Sequence, residues 1–423
     1  MSLVLGILQF LIVGFCTYSE FKRKSAGVFL WATLFAMFSI THLLTCITGD
    51  PEYSSTTIDT ASNFVILFSL FYLFGRFIFT KGSYYQRDTL KNLSVDYSCN
   101  KLLYSELIVF IVFITVTIFK MVLHIVQVGS LSNISWIALR RVSESLSYIN
   151  IGQLLKLLFF LSSGIGLLLL LKKRWLLFSI VIITLAANVI ISRNRVEVLP
   201  ALVIPISYFM IKTKKLDLVK MVFYLLLAMF SIYVVYALRA FRHFGSFEDF
   251  FQNGSISDLN KKVIHHLISG DGELGLRRAF YLFIQSKNNF NNFGLGHTYL
   301  RMLLVFLPTK WTLGIKPPDF ALSMGAAIGL AQGGSMHPTL FGDVYANFGI
   351  YGIFFGLFWA GLVSIFELLL ARLDKPLNKI LLFTLSGVVF AIMARGAVYN
   401  GYFILSYGAL ALFLNQWLRR CIT

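Results

Sequence analysis

The sequence predicts an all-α polytopic membrane protein, with about eleven spanning helices at the roughly 20 apolar residues each crossing requires. Three observations predict it. The chain has 423 residues, of which 57% are hydrophobic and only 13% charged, against roughly 25% charged in an average soluble domain. Apolar runs of near-spanning length recur along the whole chain. Read as alternating crossings, they put every short Lys-rich connection on one side. A bundle facing lipid follows, not one buried globule.

The runs place helices near 2–18, 27–47, 61–80, 103–126, 152–171, 175–192, 198–212, 217–238, 346–371, 377–394 and 399–417. Lys22, Arg23 and Lys24 follow the first, whereas Asp50, Glu52 and Asp59 follow the second. Lys81, Arg87, Lys91 and Lys101 follow the third, and Lys172, Lys173 and Arg174 join the fifth to the sixth. Lys212, Lys214, Lys215 and Lys220 join the seventh to the eighth. Arg372, Lys375 and Lys379 join the ninth to the tenth, and Arg419 with Arg420 follows the last. Basic residues gather in cytoplasmic loops, so the N-terminus is expected outside and the C-terminus in the cytoplasm. The first run begins at Met1 and its basic cluster follows it, the wrong order for a cleaved signal peptide, so it reads as a retained helix. Three segments result: an N-terminal bundle over 1–238 of about eight helices, a large outer loop over 239–345, and C-terminal helices over 346–423. Within the loop, 299–307 is apolar but too short to span, and reads as interfacial or re-entrant.

The net charge of +18 would suggest nucleic acid in a soluble protein. Here topology accounts for much of it, and no nucleic-acid partner is predicted. Sorted by the predicted sides, 20 of the 37 basic residues lie inside (13 Lys, 7 Arg) and 17 outside (10 Arg, 7 Lys). Topology disfavours the outer set. Arginine's planar fork binds two oxygens at once and never loses its charge, so an Arg-rich outer face predicts an anionic ligand. The structural alternative is solvated arginine in long loops, which escape the charge rule. Cys16, Cys46, Cys99 and Cys421 are scattered, with no C-x-x-C spacing, so neither a disulfide framework nor a zinc site is expected.

Several outer positions combine unusual residue types. Arg193 and Arg195, with Glu197, occupy a tight turn at headgroup depth; snorkelling is the alternative reading. Arg239, Arg242 and His243 share one face at helical spacing. Arg277 and Arg278 follow Asp271-Gly272-Glu273, an acidic pair too common to predict a metal, and no metal or cofactor is expected. His265 and His266 are adjacent and diverge on a helix. His297 and Arg301 flank the short apolar stretch, and Arg395 lies between the last two helices. His337 and Asp343 stand in a polar, Gly-rich run that leads into the ninth helix. A His and a carboxylate there can take a proton from a sugar hydroxyl; capping and loop packing are the alternative.

The run from His337 through Pro338, Thr339, Gly342, Asp343, Tyr345, Asn347, Phe348 and Gly349 to Gly352 resembles the Pro-x(3)-Gly-Glu/Asp-x-Tyr-x-Asn-Phe-Gly phrase of the Wzy-type O-antigen polymerases. Ser192-Arg193 resembles that family's Ser-Arg phrase after a mid-chain helix, and the layout with a large late loop is similar throughout. The family's Arg-x(10)-Gly pattern occurs once, Arg141 to Gly152, and not in the large loop. The resemblance implies a GT-C-like integral-membrane glycosyltransferase in the bacterial inner membrane, with its site facing the periplasm. It would move a growing glycan from undecaprenyl diphosphate onto the terminal sugar of a new lipid-linked repeat unit. Membrane lipid is a second partner, and a chain-length regulator protein is one that the family implies. Arg193, Arg195, Arg239, Arg242, Arg277, Arg301 and Arg395 would hold the diphosphates, with Arg278, His337 and Asp343 at the chemistry. An O-antigen ligase, a flippase for the same lipid-linked glycan and a non-catalytic scaffold are the rival expectations.

Overall fold

The apolar runs fold as helices because lipid offers no partner for a backbone N–H or C=O, so each segment must satisfy its own. The computed structural model describes residues 2–50, 52–79, 103–128, 151–192, 194–212, 275–288, 295–307, 309–327, 336–396 and 398–422. Among them every regular element is helical. In chain order these are α1 (Ser2–Arg23), α2 (Gly27–Thr48), α3 (Ser55–Ile78), α4 (Tyr104–Val128), α5 (Ile151–Ser162), α6 (Gly164–Leu171), α7 (Trp175–Ser192), α8 (Leu199–Lys212), α9 (Arg277–Gln285), α10 (His297–Leu303), α11 (Phe320–Ala327), α12 (Thr339–Phe348), α13 (Phe355–Arg372), α14 (Pro376–Ala394) and α15 (Val398–Ile422). A π-helical turn, Phe35–Ser39, lies inside α2, and a 3-10 turn, Gly349–Phe354, joins α12 to α13.

Eight helical spans among the described residues are long and apolar enough to cross a membrane, which makes this an all-α, multi-pass membrane protein. The run predicted at 198–212 forms α8, of 14 residues. The run at 399–417 lies in α15, whose Tyr, Asn and Gln content leaves it outside the eight. The run at 217–238 lies outside the described residues. Two starts differ from expectation. The helix expected at 61 begins at Ser55, because the Ser54 side chain caps it by accepting from the Thr57 N–H at 3.3 Å. The helix expected at 346 begins at Thr339, so Asp343 lies inside a helix and not in a loop leading to one.

The chain divides into two compact units. The first comprises residues 1–89, 272–372 and 389–410. Its α3 and α13 pack backbone to backbone. A Cβ added at Gly356 would come within 2.3 Å of the Phe68 carbonyl oxygen, and one at Gly75 within 2.6 Å of the Ala360 Cβ. Small residues give such close contact where lipid supplies no hydrophobic drive between helices. Arg76 of α3 lies between two carboxylates. Its Nε is 2.8 Å from Glu20 Oε1 of α1, and its Nη2 is 2.6 Å from Glu367 Oε1 of α13, all three buried. Ser364 accepts a further bond from Nη1 at 2.5 Å. One guanidinium thus ties three spanning helices.

The second unit comprises residues 90–271, 373–388 and 411–423. Buried ion pairs tie it in the same way: Lys172 Nζ to Glu106 Oε2 at 2.7 Å, and Lys120 Nζ to Glu197 Oε1 at 2.8 Å. Asn188 also donates to Glu197, and the Lys120 ammonium lies 4.0 Å from the Phe159 ring centre. Glu197 therefore anchors the 3-10 turn Arg195–Val198 against α4 and α7.

Candidate functional site

The first unit carries most of the predicted site residues that fall among the described ones. Helix α9 begins with Arg277-Arg278 and buries Arg277, Ala279, Phe280, Tyr281 and Phe283. It lies against α3 and α12, and it reaches α2 through two polar contacts. Arg277, 8% exposed, donates from Nε to Thr45 Oγ1 at 2.8 Å and also hydrogen-bonds Tyr281. Tyr281 meets His42 Nδ1 at 2.5 Å, and His42 Nε2 lies 2.7 Å from Ser62 Oγ. Proton positions follow from valence. The Ser62 hydroxyl gives its hydrogen to the Ile58 carbonyl at 3.1 Å, so it accepts from His42 Nε2–H. In the neutral ring Nδ1 is then an acceptor, and the Tyr281 hydroxyl donates to it. The chain Arg277–Tyr281–His42–Ser62 is buried, and the ring of Phe38 stacks on His42 at 5.0 Å. Burial pushes the Tyr281 phenol up and holds the Arg277 guanidinium below its usual range.

Arg278 has different partners. Its side chain is 30% exposed and lies 3.8 Å from Asp50 Oδ2 and 3.8 Å from Glu52 Oε1. Both contacts are long; the one to exposed Glu52 is weak, whereas Asp50 is 3% exposed and keeps Arg278 as its nearby cation. Burial, then the Glu52 charge, raises the phenol of the neighbouring Tyr53.

Helix α12 carries the phrase that contains Asp343 and Asn347. Asp343 is fully buried. Its Oδ1 accepts from Thr298 Oγ1 at 2.9 Å and from Asn347 Nδ2 at 3.2 Å, and Asn347 Oδ1 accepts from the Thr298 N–H at 3.2 Å. The Asp343 Oδ2 atom has no hydrogen-bond partner among the described residues. This network binds α10 to α12, with Tyr299 beside it; burial and the Asp343 charge push the Tyr299 phenol up. Phe280 of α9 packs against Gly342, where a Cβ would lie 3.1 Å from the Phe280 Cβ, and meets Tyr345 edge-on at 5.5 Å. Asn288 Nδ2 donates to the Tyr345 carbonyl at 2.8 Å. The backbone N–H of Thr339 donates to the Arg395 carbonyl at 3.1 Å. Gly396 needs its positive φ of 91° there, and a Cβ would strike Pro338 at 2.7 Å. The turn at 395–396 thus clasps the segment that follows His337, itself half-buried.

Comparison with models of known protein families, with curated proteins and with solved structures returned no match. The reading of the site therefore rests on its own residues.

Arg277, Arg278, Arg301, His337, Asp343 and Arg395 all belong to the first unit. Arg301 is engaged locally: it donates to the Pro317 carbonyl and lies 4.6 Å over the Tyr399 ring. Arg195 begins the turn in the second unit, and its side chain lies outside the described residues, as do Arg193, Arg239 and Arg242. No group of three or more His, Cys, Asp or Glu side chains among the described residues is placed to hold a metal ion. Sequence reasoning missed His42, Thr45, Ser62, Tyr281 and Thr298. His42 had one readable signal, an ionisable residue within a spanning run, which is expensive there unless it does something.

Proposed function

We propose that the protein is a periplasmic-face glycosyltransferase of the inner membrane that polymerises lipid-linked oligosaccharide repeat units. One observation carries the reading. The Arg277-Arg278 helix α9 packs directly on α12, which holds the polymerase-like phrase, although the two are far apart in sequence. Positive charge and the phrase thereby lie side by side, which supports a site for a phosphate-bearing substrate.

In this reaction the acceptor hydroxyl attacks the anomeric carbon of the growing glycan. The bond from that carbon to undecaprenyl diphosphate breaks, and the hydroxyl proton passes to a base. Charge builds on the departing diphosphate, and fixed guanidinium groups stabilise it with no reorganisation. Arg278, the more exposed of the pair, is assigned to the diphosphate, with Arg277 behind it. His337 is assigned to the acceptor proton in preference to Asp343, because Asp343 is sealed from solvent and committed to Thr298 and Asn347. Asp343 then acts as a positioning residue for α10. Arg301 and Arg395, in the same unit as Arg278, are assigned to the remaining lipid-linked diphosphate.

The test is the surface-glycan ladder of a strain lacking the gene, complemented at matched expression with wild type, Arg278→Ala or His337→Ala. Core bearing a single repeat unit in the deletion strain, restored by wild type alone, supports polymerisation. Bare core with accumulated lipid-linked polymer makes the protein a ligase. Unpolymerised lipid-linked units held on the cytoplasmic side make it a flippase.

A further inference from the structure

The segment after α10 exposes large apolar side chains and belongs to none of the eight spanning stretches among the described residues. Helix α10 has seven residues, about 10 Å at 1.5 Å per residue, against roughly 30 Å of hydrocarbon. Beyond it the chain turns back through 304–307 and a 3-10 turn, Thr309–Thr312. Trp311 is 75% exposed, Leu313 90% and Ile315 64%. Leu313 has a φ of +48°, a left-handed conformation uncommon for a side chain of this bulk. The backbone is thus bent to hold a leucine outward.

Two further observations say what covers this tip. Phe306 packs on α15 through Tyr407 at 5.4 Å and Tyr402 at 6.3 Å, in the half of α15 that the charge pattern places toward the outside. Aromatic rings at such depth belong to the lipid–water boundary. Cations lie at the base of the tip: Lys316 donates to the Leu307 carbonyl at 2.8 Å, and Arg301 donates to the Pro317 carbonyl. Burial, then the Arg301 charge, lowers the Lys316 ammonium. An apolar edge backed by cations binds a lipid surface with anionic headgroups.

We propose that the tip Trp311–Ile315 is a wedge seated in the outer leaflet of the same bilayer, with Lys316 and Arg301 at the level of the lipid phosphates. It keeps α10, and through Thr298 the Asp343 network, at the depth where a lipid-linked phosphate lies. The wedge stands independently of the enzymatic reading, since its depth is measured without any turnover.

The experiment compares tryptophan emission of wild type and of Trp311→Phe in nanodiscs with plain or acyl-brominated phosphatidylglycerol, adding iodide separately. The difference between the two proteins isolates Trp311. The expected result is a blue-shifted component that brominated lipid quenches at least twofold and iodide leaves unchanged. Leu313→Trp in the Trp311→Phe background repeats the reading at the tip itself. Quenching by iodide and not by brominated lipid overturns the proposal, because the tip is then in water. Protection from both quenchers that vanishes on dilution to one protein per disc also overturns it, because a second copy then covers the tip. Loss of the lipid quenching in phosphatidylcholine discs or in Lys316→Gln supports the role given to the anionic headgroups.

Discussion

His42 Nδ1 and the Tyr281 hydroxyl lie 2.5 Å apart and join the second spanning helix to a helix of the large loop, across 239 residues of sequence. Tyr281→Phe leaves a buried acceptor without its donor, which costs about 1–3 kcal/mol. His42→Leu leaves the buried Tyr281 hydroxyl without its acceptor and removes the ring stacked on Phe38, and is expected to cost more. The two changes share one network, so thermal unfolding in detergent should show them less than additive, with a coupling of about 1 kcal/mol. Additive effects would remove the chain from the account.

Arg76→Leu leaves Glu20 and Glu367 buried without their cation. Breaking such a pair from one side costs about 3–5 kcal/mol, enough to deplete the folded protein in the membrane. Arg76→Lys should fall between, since an ammonium lacks the fork that reaches both carboxylates. Membrane yield and detergent melting check the order wild type, Arg76→Lys, Arg76→Leu.

Two glycines of α13 should behave oppositely. Gly356→Ala drives a Cβ to 2.3 Å from the Phe68 carbonyl, and such overpacking costs about 1–3 kcal/mol. At Gly361 the nearest atom is Phe79 Cε2 at 3.6 Å, an ordinary contact. Gly361→Ala should be neutral or stabilising by up to about 1 kcal/mol, the helix-propensity gain. Equal melting points for the two variants would contradict the packing of α3 on α13.

Glu197 carries a pH dependence. Burial pushes its carboxyl up, but the Lys120 charge and hydrogen bonds from Lys120, Asn188 and Ser192 outweigh it, and the net direction is down. The pair's stabilisation is therefore complete above the unfolded value of about 4.3 and is lost as pH falls through the lower folded value. Melting followed through that window should fall less steeply for Glu197→Gln than for wild type.

The spanning runs were legible because twenty apolar residues in a row have few other uses. Their starts were less legible. Ser55, Thr56, Thr57, Asp59 and Thr60 read as loop by hydropathy, yet they form the first turns of α3 once Ser54 caps it. The same bias hid α12, where Gly342, Asp343 and Asn347 looked like a polar approach to a helix and are part of one. Arg277 and Arg278 were legible as a pair of adjacent cations. Their different surroundings were not, because Thr45, His42 and Asp50 come from a distant stretch that no local pattern links to α9.

The central claim is most directly tested with purified protein in nanodiscs, supplied with undecaprenyl-diphosphate-linked repeat units and followed for products longer than one unit. The account predicts a ladder of lipid-linked oligomers, release of one undecaprenyl diphosphate per bond formed, and a kcat for Arg278→Ala lower by about 10²-fold while the variant melts like wild type. A folded wild-type protein that forms no oligomer, or an Arg278→Ala variant that forms them at the wild-type rate, would contradict it.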